Sequence, residues 1–243
     1  MCKPVMPTRC TIVEKLGTMI TAIGDRSPLT NHRFFLLFVL LLGMLLLHPY
    51  AETSRVGSYA FRVIGSAAIF ISVYAAKIHR SLLIIALILA VPTVWHRVLM
   101  PKTGLSSLSI SSMVLSFIFD ILIIVVIFRH VFAGENAGSE GIFGALCVYL
   151  MLGFSFANIY GMVASLQTNA FYLDPQTNFH SVPDRSDFTY YSFATITSLG
   201  AAGITPVSPQ ARSVSIVESI LGVLYLAVLI AKLIAGYRPR SDP

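Results

Sequence analysis

Charged residues are scarce in this sequence. Asp, Glu, Lys and Arg make up 12% of its 243 residues and hydrophobic residues 56%, whereas a soluble domain is about 25% charged and about 45–50% apolar. Such a composition excludes a cytosolic enzyme, a nucleic-acid-binding module and a disordered tail as the main interpretation. It indicates an integral membrane protein. In such a protein the positions of the Lys and Arg residues, which give the net charge of +6, report on the membrane topology.

The residues that usually carry catalysis or metal binding form no recognisable pattern. Three cysteines do not make a disulfide framework: Cys2 and Cys10 precede the first apolar run, and Cys147 lies inside another. The six histidines mostly flank apolar runs and form no ligand cluster. No Ser/His/Asp set, P-loop or dinucleotide glycine motif occurs in a suitable setting. We therefore expect no enzymatic activity, no cofactor and no nucleic-acid partner.

Long apolar runs are what the sequence has in abundance. There are six: about Phe34–Leu47, Val56–Ala76, Leu82–Trp95, Ser106–Phe128, Ile142–Ser165 and Val214–Ala235. Because backbone amides in a bilayer need internal partners, such runs satisfy them only as helices. The sequence predicts an all-α polytopic membrane protein with six transmembrane helices.

The distribution of Lys and Arg predicts the orientation. With the amino terminus inside, eleven of them fall on inside segments and six on outside segments or outer helix ends. This bias favours cytoplasmic termini, in the plasma membrane, or the inner membrane if the cell is bacterial. Residues 1–33 are expected to form a cytoplasmic segment that is either a short interfacial helix or a frayed tail, and residues 238–243 form a C-terminal tail.

A short segment between the fifth and sixth runs differs from the rest. The stretch Leu166–Asp187 is polar and rich in turn residues, and Asp187–Ser198 is moderately apolar but too short to cross a bilayer. Ser186 or Asp187 is expected to cap its start. Gly200, Gly203 and Pro206 then oppose a continuing helix. The pattern predicts a re-entrant helix followed by a non-helical return, which is tolerated at membrane depth only when buried in protein or lining a watery path.

The residues from Asp187 to Lys232 resemble the pore region of potassium channels. The resemblance rests on Tyr190-Tyr-Ser-Phe-Ala-Thr-Ile-Thr-Ser-Leu-Gly, on Ile204-Thr-Pro-Val-Ser-Pro, and on Leu224-Tyr-Leu-Ala-Val-Leu-Ile-Ala-Lys232. It implies a two-transmembrane ion channel module over residues 141–237, with outer helix, pore helix, filter and inner helix. With the four helices of residues 34–130, it implies the six-transmembrane, homotetrameric architecture of the superfamily, in which backbone carbonyls of several chains surround the ion.

The filter itself departs from the family pattern. Where the family has Thr-Val-Gly-Tyr-Gly-Asp, this chain has Ser198-Leu-Gly-Ala-Ala-Gly203. The resemblance implies K⁺ on carbonyls of Ser198, Leu199 and Gly200, with the apolar Leu199 side chain behind the filter. Ala201 and Ala202 complete the outer half, and Thr197 and Gly203 support the pore. Because a Tyr brace is missing and Ala202 replaces a permissive Gly, the outer half is expected to relax, widen or collapse.

Four further residues have alternative interpretations. Asp120 lies deep in the fourth run and Arg62 in the outer part of the second, so we expect a pair that holds helices together; a proton or metal relay is the alternative. Glu218 is expected to steady the pore helix, the alternative being a cation site near the mouth. Gly222 is interpreted as a gating hinge or as a close-packing residue.

The predicted function is the pore-forming subunit of a tetrameric cation channel in contact with membrane lipids. Its expected permeant ion is K⁺, and Na⁺ also permeates if the altered filter discriminates less between the two ions. The fourth run contains no Arg or Lys, so residues 34–130 resemble a voltage-sensor-like domain without gating charges, and the channel is voltage-insensitive or weakly voltage-sensitive. One alternative is a non-conducting, or engineered filter-mutant, channel-like protein with a structural or regulatory role. A proton-coupled transporter using Asp120 and Glu218 ranks last.

Overall fold

A computed structural model gives the structure of the chain. It describes residues 33–53, 63–68, 70–72, 88, 107–133, 139–178, 182–200 and 203–236. Within these ranges the chain is mostly helical. The predicted amino-terminal interfacial helix, Arg62, Ala201, Ala202 and the C-terminal tail lie outside the described residues.

The described elements include four long helices and one short helix. They are α1 (Arg33–Thr53), α2 (Ser107–Ala133), α3 (Ser139–Leu166), α4 (Arg185–Ile196) and α5 (Pro209–Gly236). Three described segments are long and apolar enough to cross a membrane: Met113–Val131, Glu140–Leu166 and Pro209–Ile234. The fourth, fifth and sixth predicted spans are therefore present as helices of suitable length.

The first three predicted spans are represented less completely. The first corresponds to α1, whose apolar part, Arg33–Leu47, is shorter than the three candidate spans. Of the second, residues 63–68 and 70–72 are helical, and of the third only residue 88 is described. The count of six transmembrane helices stays a prediction.

The core lies where α1 and α2 pack against α3. Its fully buried members include Phe34, Leu37, Phe119, Ile123, Ile127, Cys147 and Val148. At one end of this core the Cys147 thiol donates to the Phe34 carbonyl oxygen at 3.4 Å, so this cysteine is a packed core residue. The three helices form one apolar unit beside the C-terminal segment.

One feature departs from the all-α prediction. Strands β1 (Phe171–Leu173) and β2 (Ile204–Pro206) form a two-stranded antiparallel ribbon in which Tyr172 lies opposite Thr205. Each strand has only three residues, and turn-rich flanks hide such short strands from a periodicity analysis. The ribbon joins the segment after α3 to the segment before α5.

The start of α4 is capped by a different residue from those predicted. The Asp184 carboxylate accepts from the amides of Ser186 and Asp187 at 2.7 and 3.1 Å. Asp187 in turn accepts from the Asp184 amide at 2.8 Å, which completes a capping box. The predicted cap at Ser186 or Asp187 is thus corrected to Asp184, because the helix begins two residues earlier, at Arg185.

Candidate functional site

Helix α4 lies between two long helices and cannot itself span a bilayer. Its 12 residues are about 18 Å long, against a hydrocarbon core of about 30 Å. It packs against both α3 and α5. After Ile196 the backbone leaves the helix through residues 197–200, all of which are exposed in the single chain. This short helix and exposed turn lie where the sequence predicts a re-entrant segment, and re-entry itself stays a prediction.

The turn after α4 has the geometry of a Schellman helix end. The Ser198 amide donates to the Thr195 carbonyl at 3.0 Å, and the Leu199 amide donates to the Ala194 carbonyl at 2.9 Å. Ser198 occupies the left-handed position with a φ of 59°, where glycine is usual. The first predicted filter residue is therefore held in a strained conformation by the end of the helix.

The carbonyl groups that follow are available to a ligand. Within the described ranges, no hydrogen bond ends on the carbonyl oxygens of Ser198, Leu199 or Gly200. Gly200 also has a positive φ, 82°. The Leu199 side chain is 76% exposed in the isolated chain. The expectation that Leu199 is packed behind the filter is not met within one chain.

The carboxyl end of α4 favours a cation. Thr197 ends the helix, and its hydroxyl donates to the Phe193 carbonyl at 2.6 Å. The partial negative charge of the helix dipole falls at this end, within a turn of Ser198. Beside it, Ser198 and Gly200 line an open cavity of about 460 Å³, together with Tyr191, Thr195 and Thr205.

Glu218 lies at the junction of the three C-terminal helices and is fully buried. Its carboxylate accepts from the Tyr160 hydroxyl of α3, and the Ser192 hydroxyl of α4 lies 2.5 Å away. Ser192 is also 2.7 Å from the Gly153 carbonyl of α3. These contacts join Glu218 to α4, the helix that it is predicted to steady, and that role stays a prediction. The alternative cation site near the mouth gains no support from a carboxylate with no exposed surface.

A second polar contact between the same helices lies one turn away. The Tyr191 hydroxyl of α4 is 2.7 Å from the Ser215 hydroxyl of α5. Burial raises the pKa of Tyr191, so the phenol keeps its proton and is able to donate. Edge-to-face contacts with Tyr160 and Phe171, at centroid distances of 4.9 and 5.6 Å, hold the ring.

The last carbonyl of α4, that of Ile196, is in contact with α3 on one side and α5 on the other. The Tyr149 hydroxyl of α3 donates to the Ile196 carbonyl oxygen at 3.1 Å. On the other side, a Cβ placed on Gly222 would collide with the same oxygen and would lie 2.7 Å from Ile196 Cγ1. Gly222 is therefore a close-packing residue between α5 and the end of α4. The hinge interpretation stays a prediction.

We expect Gly222→Ala to lower the melting temperature of the assembled protein in detergent. The added methyl group would meet the backbone of α4, which cannot move aside without disturbing the turn at Ser198. Gly161→Ala in α3 is the matched control, since its Cβ would lie 3.2 Å from the flexible Met113 side chain. A melting temperature equal to that of the control would show that this close approach is unimportant.

Gly203 lies immediately before β2 with a φ of 88°. Its carbonyl accepts from the Asp174 amide at 2.9 Å and from the Asn178 side-chain amide at 2.8 Å. The outer end of the predicted filter is thus tied to the loop after β1. The structure describes neither Ala201 nor Ala202, so the outer filter half stays a prediction.

Asp120 has a described partner that the sequence did not suggest. Asn158 of α3 donates to the Asp120 carboxylate at 3.3 Å, and its oxygen accepts from Arg185 at the start of α4 at 3.5 Å. Since Arg62 lies outside the described residues, the predicted pair with Asp120 stays a prediction. The contacts that are described link α2, α3 and the pore-helix start.

Several supporting residues escaped sequence reasoning. They are Tyr149, Asn158, Tyr160, Asn178 and Ser192. Each is a single polar residue in an apolar run or a loop, and its role depends on a partner 25 or more residues away. For Tyr149, Asn158, Tyr160 and Ser192 the signal in the sequence is a hydroxyl or amide group in a run that is otherwise largely apolar, whereas Asn178 is one of several polar residues in its loop.

Comparison with known proteins locates the same segment. Residues 144–237 match the model of a protein family described as ion channel. No curated protein and no solved structure matches the chain significantly. The matched segment begins within α3 and ends after α5, so it contains α4, the exposed turn and the Glu218 contacts. Residues 144–237 of this membrane protein are therefore similar to an ion channel domain.

Proposed function

We propose that four copies of this chain form a cation channel of the potassium-channel type, with weakened discrimination of K⁺ over Na⁺. Ions would be held by carbonyl oxygens of Ser198, Leu199 and Gly200 around a common axis, with Ala201 and Ala202 forming the less ordered outer half. The proposal includes cytoplasmic termini, location in the plasma membrane and little voltage sensitivity.

The observation that carries the proposal is the end of α4. A helix too short to span the membrane ends in a turn whose next three carbonyls accept no hydrogen bond from the described residues. Unpaired oxygens next to the negative end of a helix are suited to replacing water around a cation.

The surface of α5 supports assembly. Most of its large apolar side chains are exposed in the single chain, including Ile216, Val217, Ile220, Leu221, Val223, Leu224, Val228, Ile230 and Ile234. Such a helix is stable only when lipid or further protein covers it. One turn per chain cannot encircle an ion, so several copies around an axis would cover α5 and complete the site.

Weakened selectivity is proposed from the sequence of the filter. A tyrosine ring that braces the filter in the related channels is replaced by Ala201. If the backbone at position 202 needs a positive φ, alanine costs about 1–2 kcal/mol per chain relative to glycine. The outer half is therefore less constrained than the inner half, where Gly200 keeps its positive φ.

Flux and selectivity of the purified protein test the proposal. Reconstituted vesicles should take up Tl⁺ or Rb⁺, and reversal potentials in mixed K⁺ and Na⁺ should show both ions permeating. Native mass spectrometry should give a tetramer. Absence of flux from a properly assembled tetramer would favour a non-conducting role, and strict K⁺ selectivity would refute the argument about the outer filter.

A variant at Gly200 gives a sharper test of the conducting turn. Gly200→Ala is expected to lower Tl⁺ flux tenfold or more, because a side chain at positive φ costs about 1 kcal/mol in each of four chains. The matched control is Gly43→Ala in α1. A Cβ at either glycine meets nothing within 4 Å, but only Gly200 has a positive φ. Equal fluxes in the two variants would contradict the proposal that Gly200 lines the ion path.

A further inference from the structure

The loop after β1 closes on the outer end of the filter segment. Besides its bond to the Gly203 carbonyl, the Asn178 amide lies 3.0 Å from the Asp174 carbonyl. The Asp174 amide donates to the same Gly203 oxygen. The Asp174 carboxylate accepts from the Gln176 amide at 3.0 Å, which shapes the turn. One carbonyl at the end of the filter thus receives two donors from a single loop.

Gly203 is shaped to receive this loop. A Cβ on Gly203 would collide with the Thr177 hydroxyl and would lie 3.0 Å from the Asn178 amide nitrogen. Two side chains of the loop therefore occupy the space that a side chain at position 203 would need. The positive φ at Gly203 excludes other residues for a second, independent reason.

The loop is itself anchored in the protein interior. Through β1, Leu173 pairs with Ile204, and the amides of Val207 and Ser208 both donate to the Ala170 carbonyl. Phe171 is buried and makes edge-to-face contacts with Tyr160 and Phe188 at 5.7 and 5.1 Å. A displacement at Gly203 would therefore strain a ribbon fixed to α3 and α4.

We infer that Asn178 is a positioning residue that fixes the outer end of the ion path through the Gly203 carbonyl. In the related filters, a tyrosine and an acid stand where this chain has Ala201 and Gly203. Here the amide of Asn178 and the backbone of Asp174 supply a brace from the opposite loop. The effect on ion discrimination depends on the proposed channel function, whereas the brace itself does not.

Two substitutions at Asn178 test the inference in the reconstituted full-length protein. Asn178→Ala removes the donor, and Asn178→Asp keeps the shape but places a carboxylate oxygen against the Gly203 and Asp174 carbonyls. Loss of one net hydrogen bond corresponds to roughly a fivefold change in an equilibrium. We therefore expect the K⁺ to Na⁺ permeability ratio to fall roughly fivefold in both variants. Gln176→Ala, an exposed change in the same loop, should leave the ratio unchanged.

Hydrogen exchange provides a readout that needs no ion conduction. In both Asn178 variants, backbone amides of residues 203–208 should exchange faster than in the parent, while amides of α3 should not. Unchanged amide exchange at residues 203–208 would contradict the inference that Asn178 holds the Gly203 carbonyl in place. Faster amide exchange with an unchanged K⁺ to Na⁺ permeability ratio would show that Asn178 has no role in ion selection. If the parent conducts nothing, the proposed function fails, and exchange alone then decides the brace.

Discussion

Replacing Glu218 with alanine is expected to destabilise the assembled protein by about 3 kcal/mol per chain, whereas Glu218→Gln is expected to change its stability by less than about 1 kcal/mol. The alanine variant leaves a cavity at the junction of α3, α4 and α5. It also removes the partner of the buried Tyr160 hydroxyl. Both effects act at a residue with no exposed surface.

Glutamine is expected to be tolerated at position 218 because of the number of hydrogen-bond donors around the carboxylate. Ser192 has one hydroxyl hydrogen but lies within hydrogen-bond distance of both the Gly153 carbonyl and Glu218. If residue 218 donates a hydrogen bond to the Ser192 hydroxyl oxygen, the Ser192 hydrogen is free to donate to the Gly153 carbonyl. Every polar group in this series of hydrogen bonds then has a partner. A glutamine amide supplies that donor, and its oxygen still accepts from Tyr160.

Thermal unfolding of the purified protein in detergent measures both variants. Tyr160→Phe should cost less in the Glu218→Ala background than in the parent, since the two groups are direct partners. If glutamine proves as damaging as alanine, a negative charge at position 218 is required and the hydrogen count is wrong. If alanine is harmless, Glu218 does not hold the three helices together.

In the proposed channel, introducing the outer filter residues of the potassium-channel family is expected to raise the K⁺ to Na⁺ permeability ratio tenfold or more. The double substitution Ala201→Tyr with Ala202→Gly returns the bracing ring and the permissive backbone. If the backbone at position 202 needs a positive φ, glycine removes a strain of about 1–2 kcal/mol per chain, which is enough for a tenfold effect.

Adding Gly203→Asp to this pair is expected to reverse the gain. The φ of 88° at Gly203 and the side chains of Thr177 and Asn178 leave no room for a side chain there. Reversal potentials of the parent, the double variant and the triple variant measure the ratio. A triple variant as selective as the double would contradict the steric argument, and an unchanged double would show that Ala201 and Ala202 do not limit selectivity.

The sequence was a good guide wherever local pattern decides the structure. Apolar runs long enough to span a bilayer predicted α2, α3 and α5, because a buried backbone must satisfy its own hydrogen bonds. The change to polar, turn-rich residues after Leu166 predicted the short helix α4 to within two residues at each end. The cap at Asp184 was missed because three neighbouring polar residues are all suitable caps, and only the backbone direction selects one.

What the sequence by itself determined is a membrane protein whose last third contains a helix too short to span a bilayer. Only the tertiary structure decided that Glu218 meets Tyr160 and Ser192, that Gly222 fits against Ile196, and that Asn178 reaches the Gly203 carbonyl. The reason is physical. A helical period or a turn signal depends on neighbours along the chain, whereas these contacts join residues 25 or more positions apart and depend on how whole helices and loops pack.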